Sequence, residues 1–177
     1  MKTFSRIGLL VATTTAALAL FAPFSSARPQ ATSLCTGGML TGTFKVIPGS
    51  PGAGNIVYRL RVKNSSKTPC GVTGLPALTL LDAAGRKLPT HARFSGMPGT
   101  LSAILVTLKP GATATLTARF SPDIPGPGEP VSGRACERTA YKLRVAPSGG
   151  GSVVVPISPA TPVCEHGGLQ ITVFTRG

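Results

Sequence analysis

Four cysteines, Cys35, Cys70, Cys136 and Cys164, are the residues of this sequence best equipped for chemistry. No C-x-x-C occurs, so thiol–disulfide exchange of the thioredoxin kind has no motif to run on. Structural zinc sites usually bring cysteines in pairs about two to four residues apart, and these four stand far from one another. His166 beside Cys164 makes a C-x-H with no counterpart elsewhere. No metal and no other cofactor is expected. In an exported chain the four read instead as two disulfides, with three possible pairings.

Acid–base chemistry has little to draw on. The histidines are His91 and His166, and the acids are Asp82, Asp123, Glu129, Glu137 and Glu165, none forming an obvious pair. There is no G-x-S-x-G, no H-E-x-x-H and no phosphate loop. A serine nucleophile needs a base and an orienter, and nothing singles one serine out. Glu165-His166 is the best local acid–base candidate, although a solvated turn before Leu169 explains it more simply. No catalytic residue is expected.

Charge is the third resource. The chain carries 18 Lys and Arg against five acids. Arg59, Arg61 and Lys63 share one parity of a strand, and Lys142 and Arg144 share one parity of another. Stripes of this kind attract anions and respond to salt. They are the candidate anion-binding residues. Nucleic acid is a poor target, because only nine aromatics occur (two Tyr, seven Phe) and no stacking motif interleaves with the basic residues. An anionic envelope polymer, or another envelope protein, fits better as partner.

These side chains need elements to hold them. Ile56–Lys63 alternates Ile56, Tyr58, Leu60 and Val62 with Val57, Arg59, Arg61 and Lys63, so one face is apolar and the other basic. Asn64 to Pro69 ends that run, since Pro69 cannot donate to a ladder. Asn64-Ser65-Ser66 matches a glycosylation acceptor but is more simply a hairpin-end turn. Cys70 lies in a turn-rich stretch, Ala77–Leu81 is a second strand, and Asp82-Ala83-Ala84-Gly85 fits a type I turn. Further strands are expected at Thr41–Ile47, around Arg86–Phe94, and at Leu101–Leu108, Ala112–Phe120, Thr139–Val145, Ser152–Ile157 and Leu169–Phe174. In Thr139–Val145 the parity puts Tyr141, Leu143 and Val145 inward. Leu101–Leu108, apolar on both parities, reads as a central strand. Ser121–Ala135, rich in proline and glycine, reads as a surface loop or a disordered one.

Residues 1–27 have the layout of a secretory signal peptide: Lys2 and Arg6, then the apolar Ile7–Phe24, then the small Ser25-Ser26-Ala27. A membrane anchor is the rival reading, and Pro23 with the small-residue site favours cleavage after Ala27. Residues 28–34 read as a short flexible N-terminus and 35–177 as one domain. The mature chain keeps 16 of the basic residues and all five acids, a formal charge of 16 − 5 = +11. No later segment is long and apolar enough to span a membrane. The fold is expected to be all-β, a two-sheet antiparallel immunoglobulin-like sandwich with two disulfides. If Thr41–Ile47 and Ile56–Lys63 form a hairpin, Cys35 lies beside Cys70. The same reasoning places Cys136 beside Cys164. Localisation is expected to be secreted or otherwise extracytoplasmic.

The run Pro69-Cys70-Gly71-Val72-Thr73-Gly74-Leu75-Pro76, followed by Leu80-Leu81-Asp82 and Gly85, resembles the bacterial secreted domain of unknown function 4232. Val106-Thr107-Leu108-Lys109-Pro110-Gly111, Cys136, Leu143, Val145 and Cys164-Glu165-His166-Gly167-Gly168-Leu169 extend the likeness over nearly the whole mature chain. The resemblance implies an exported or lipid-anchored protein with four cysteines and an immunoglobulin-like β fold. It implies no activity and no site residues. The chain departs from that pattern in lacking the lipobox of anchored members and in carrying Phe120 where a Trp often falls. The expected function is therefore a non-catalytic binding or structural module of the cell envelope or its surroundings. The alternative is a divergent secreted hydrolase without a recognisable motif.

Overall fold

Short runs of β-branched, aromatic and alternating polar residues build nearly every element. The computed structural model describes residues 32–96, 105–130 and 136–177. The expected leader at 1–27 lies outside the described residues, as do 28–31, 97–104 and 131–135. The strands are β1 Leu40–Val46, β2 Ile56–Asn64, β3 Cys70–Thr73, β4 Ala77–Leu81, β5 His91–Phe94, β6 Leu105–Leu108, β7 Thr113–Phe120, β8 Ala140–Ala146, β9 Val153–Thr161, β10 Gly168–Ile171 and β11 Thr175–Arg176. Among the described residues no helix is long and apolar enough to cross a membrane.

The β1–β2 hairpin sets the frame. Phe44 faces Leu60 and Val46 faces Tyr58 across it, and β7 pairs with the other edge of β2, putting Leu116 opposite Leu60. Tyr58, Leu60, Val62 and Phe44 are fully buried. A period of two commits this parity to the core and the other to solvent. The Tyr58 ring lies 5.1 Å from those of both Phe44 and Phe120. Its hydroxyl donates to the Pro159 carbonyl at 2.8 Å, and burial raises the phenol above its ordinary pKa. Phe120 therefore completes an aromatic cluster with Tyr58 and Phe44.

The sheet corrects the purely antiparallel expectation. A nine-stranded sheet runs β4-β8-β9-β1-β2-β7-β10-β5, with β11 also on β7, and β3-β6 form a second, two-stranded sheet. Two pairings are parallel, β1 with β9 and β5 with β10. Both join segments far apart in sequence, where no tight turn dictates antiparallel geometry. β9 pairs on both sides along its length: Val153 to Pro156 pair with β8, Ile157 and Ser158 pair with β1, and Thr161 pairs with Ala140 of β8. Residues from β4, β8 and β9 share one buried cluster with residues from β1, β2, β7 and β10, so the sheet curls around a single core.

Three local readings also change. Tyr141 is 46% exposed instead of inward. The β8–β9 register shifts between Ala140 and Lys142, beside Pro156, which has no N–H to give the ladder. From Pro156 to Thr161 β9 advances five residues while β8 advances two, from Ala140 to Lys142, and this irregularity breaks the alternation at Tyr141. Cys70–Thr73 is a strand, β3, rather than a turn, and β6 beside it is no central strand, with Leu105 46% exposed. The Leu105 side chain covers Gly71, where a Cβ would collide with it.

Cys35 is bonded to Cys70, and Cys136 to Cys164. Each pair sits across the open end of a hairpin, β1–β2 and β8–β9 respectively. Of the 28–34 stretch, Ser33 accepts from the Gly71 N–H at 2.8 Å, and Cys35 donates back to the Gly71 carbonyl at 2.8 Å. Asp82 begins its turn as expected. Its carbonyl accepts from Gly85, which has φ 81, and its carboxylate accepts from the Arg86 backbone N–H at 2.9 Å and Nε at 2.7 Å. The Arg86 backbone bond leads the causes that hold this carboxyl below its ordinary pKa, against some desolvation.

Asn64 is the polar tie between the two sheets. It is completely buried, and its Nδ2 donates to the carbonyls of Thr68 and Leu108, at 2.8 and 3.0 Å. Its Oδ1 accepts from the Ser66 N–H and hydroxyl, at 3.0 and 2.7 Å. The amide has no hydrogen left to give, so the N-x-S match is a buried structural asparagine and no glycan acceptor.

Candidate functional site: a basic sheet face beside a carboxylate-anchored cleft

The solvent parity of β2 exposes Arg59, Arg61 and Lys63. Register brings more to the same face than the sequence parity foresees. Lys45 of β1 lies directly opposite Arg59, while Thr43 and Thr41 lie opposite Arg61 and Lys63. On the other side Thr117, Thr115 and Thr113 of β7 occupy the same three rows. Four cations thus stand on a threonine-rich surface, and among the described residues their one side-chain hydrogen bond runs from Arg61 Nη2 to the Thr113 hydroxyl at 3.4 Å. No carboxylate among the described residues lies within ion-pair reach of any of the four. Like charges directly opposite on neighbouring strands destabilise a sheet. Fold stability gives no reason for Lys45 and Arg59 to face each other.

Lys142 and Arg144 do not join this patch. They lie on β8, separated from β2 by β9 and β1. Lys142 Nζ turns to the Ala83 carbonyl at 3.3 Å. The five candidate residues therefore form two surfaces, and Lys45, which only the β1–β2 register reveals, belongs with the first.

The second feature is a cleft of about 610 Å³ at the opposite edge of β7. Its floor is the outer face of β5, β10 and β7, and its wall is the segment from Ser121 to Pro130. That segment is no free loop. The Ser121 hydroxyl accepts from the Ile124 N–H at 2.8 Å. Pro127 and Gly128, the latter with φ 82, turn the chain so that the Glu129 N–H reaches the Gly126 carbonyl at 3.1 Å, the residue pattern of a type II turn.

Glu129 fastens this wall to the turn Cys164–Gly167. Its buried carboxylate accepts the N–H groups of Gly126 at 2.6 Å, Glu165 at 2.9 Å and His166 at 2.5 Å. His166 Nδ1 lies 3.6 Å from the same carboxylate, and Nε2 is 2.9 Å from the Pro127 carbonyl. Glu165 and His166 both hold left-handed backbones, φ 55 and 56. Side chains with a Cβ pay for that conformation, and the three N–H bonds to Glu129 offset the cost. Burial opposes ionisation of Glu129 most strongly. The N–H donors of Gly126, His166 and Glu165, with a protonated His166, more than offset it, so the carboxyl lies below its ordinary value of 4.5.

That shift sets a pH signature. A depressed carboxyl contributes stability that is complete above about pH 4.5 and is lost as pH falls through the lowered folded value. Wild type should exceed Glu129→Gln in thermal stability at pH 6, and the gap should close steadily on acidification toward pH 2. Paired melting curves measure it, and a gap that stays constant would assign Glu129 a packing role only. In the sequence Glu129 is one of five acids without an obvious partner. Its one hint was an acid inside a proline- and glycine-rich run, which names no partner.

Glu137, Glu129 and His166 could place ligand atoms within 4.8 Å of one another. Three N–H dipoles already converge on Glu129, which disfavours a cation there. Glu165 and His166 line the cleft and are exposed, and each backbone is committed to Glu129. The acid–base pair foreseen from sequence is thus a shaped turn whose side chains face solvent.

No curated protein matches this chain, and no solved structure matches it. The family model described as a domain of unknown function (DUF4232) matches residues 35–175, a span that holds both disulfides, the basic face and the cleft. The chain belongs to the DUF4232 family.

Proposed function

We propose that the protein is a non-catalytic binding module of the cell envelope or extracellular space, and that its β2 face receives an anionic polymer. The observation that carries this reading is the opposition of Lys45 and Arg59, flanked by Arg61 and Lys63, with no carboxylate among the described residues to neutralise them. Side chains that repel across a strand pair are released from that repulsion when an anion lies between them. The threonine hydroxyls in the adjoining rows supply donors and acceptors for whatever links the anionic groups.

Two disulfides support an oxidising compartment, and the leader-like residues 1–27 agree with it. The fold supports an immunoglobulin-like reading in modified form. β9 joins β4 and β8 to β1, β2, β7, β10 and β5 in one continuous sheet, and residues from both halves of it share one core. Against catalysis stands the engagement of His166, whose Nε2 is held at the Pro127 carbonyl.

The test is Arg59→Gln/Arg61→Gln/Lys63→Gln. All three positions are exposed, so folding free energy should change by less than about 1 kcal/mol. Retention of a poly(glycerol phosphate) or a polyuronate on the immobilised domain at low salt should fall. Equal retention by wild type and variant would remove the β2 face from binding.

A further inference from the structure

The basic surface continues past β2 into the cleft. Arg119 of β7 lies opposite Gln170 of β10, and Gln170 lies opposite Arg93 of β5. Two guanidiniums and an amide therefore occupy one row across three strands. With strands about 4.8 Å apart, the two arginine stems rise roughly 10 Å apart, a gap their side chains can close on one small anion. Two residues back along β5, His91 lies opposite Gly168, and Glu165 covers Gly168 closely enough that its carboxylate borders the floor.

Arg119 is already aimed, since its Nε donates to Asn55 Oδ1 at 3.2 Å. Neither Arg93 nor Arg119 has an ion-pair partner among the described residues. Opposite them the wall is fixed by Glu129, so the cleft is preformed, and about 610 Å³ is the size of a small-molecule site. Its lining is mixed: Phe120, Pro125, Pro127 and Leu169 contribute apolar surface, and the polar groups are amides, imidazoles and one exposed carboxylate, Glu165, beside the two guanidiniums.

We propose that this cleft binds one anionic sugar unit, a uronate or a sugar phosphate, with Arg93 and Arg119 on its acid group. A guanidinium matches a carboxylate or phosphate bidentately, and two of them account for a strong preference for charge. Glu165 would repel a bare anion but accepts from hydroxyls, as Asn55 and Gln170 can on either side. That mixture of cations with a carboxylate selects a sugar acid over a simple ion. The inference rests on the β2 reading for its biological sense. Arg119 faces Val57, two residues before Arg59, so the cleft would hold an end unit of a polymer lying along β2.

The test titrates the disulfide-bonded protein with glucuronate, glucose 1-phosphate, glucose and inorganic phosphate, following the amide signals of Gly168 and Gln170 by NMR. At least one of the two sugar acids should bind about tenfold more tightly than glucose and than inorganic phosphate, and the better of the two identifies the acid group. Arg93→Gln/Arg119→Gln should abolish that preference with its melting temperature retained. The triple variant on β2 should keep monomer binding while losing polymer, so failure of either site is read separately. Equal binding of glucose, equal binding of inorganic phosphate, or full binding by the folded double variant would overturn the proposal.

Discussion

Replacing Cys35 and Cys70 together with alanine should lower the folding free energy by about 3–4 kcal/mol, the largest effect expected from any surface-neutral change in this protein. The bridge closes a loop with a sequence separation of 35. In the chain-entropy description, a loop of that length restricts the unfolded ensemble by roughly that amount. Both cysteines are fully buried, and alanine avoids leaving a hydroxyl unpaired in their place. The loss should be larger than for the Cys136–Cys164 pair, whose separation is 28, though by only a few tenths of a kcal/mol in this description. Denaturant unfolding of the two double variants compares them. A Cys35/Cys70 variant within 1 kcal/mol of wild type would show that the β1–β2 hairpin holds its open end without the bridge.

Asn64→Ala should cost about 2–3 kcal/mol. The substitution strips donors from the Leu108 and Thr68 carbonyls and the acceptor from Ser66, and buried groups left unpaired carry most of such a loss. Asn64→Asp is the sharper variant. It preserves shape and the acceptor for Ser66, but it sets an oxygen against two carbonyls at a fully buried position. It should be at least as destabilising as alanine, and more so at neutral pH than at acid pH, where the side chain is protonated and can donate once. Urea melts at two pH values decide this. An aspartate variant as stable as wild type would mean that Asn64 ties nothing together.

Much of the fold was legible because alternation is a local signal. The inward set Tyr58, Leu60 and Val62 on β2, and Ala114, Leu116 and Phe120 on β7, follows from period two alone. The Asp82 turn follows from its residue types. Partner choice was not legible, because nothing in β9 states that Ile157 will lie beside Phe44 of β1. Tyr141 departs from the parity of its strand because the β8–β9 register shifts there, and the residue that hints at it is Pro156 on the neighbouring strand.

The site divides in the same way. Arg59, Arg61 and Lys63 are consecutive members of one parity and could be read from the chain. Lys45, Arg93 and Arg119 join them through cross-strand register, which only the folded sheet supplies. Glu129 is the extreme case. Its meaning depends on N–H groups of residues 36 and 37 positions away, presented by a turn whose left-handed residues carry side chains that ordinarily avoid it.

A polyanion bound along the β2 face must displace counterions, so salt dependence is the decisive measurement. Affinity of the wild-type domain for poly(glycerol phosphate), measured across a range of sodium chloride concentrations, should fall linearly on a log–log plot as contacts release counterions. Removing Arg59, Arg61 and Lys63 should reduce that slope by about 2, given roughly 0.7 per neutralised charge on a flexible chain. A wild-type domain that fails to bind at low salt, or a variant with the same slope as wild type, would contradict the claim and leave the stripe as a solvated face.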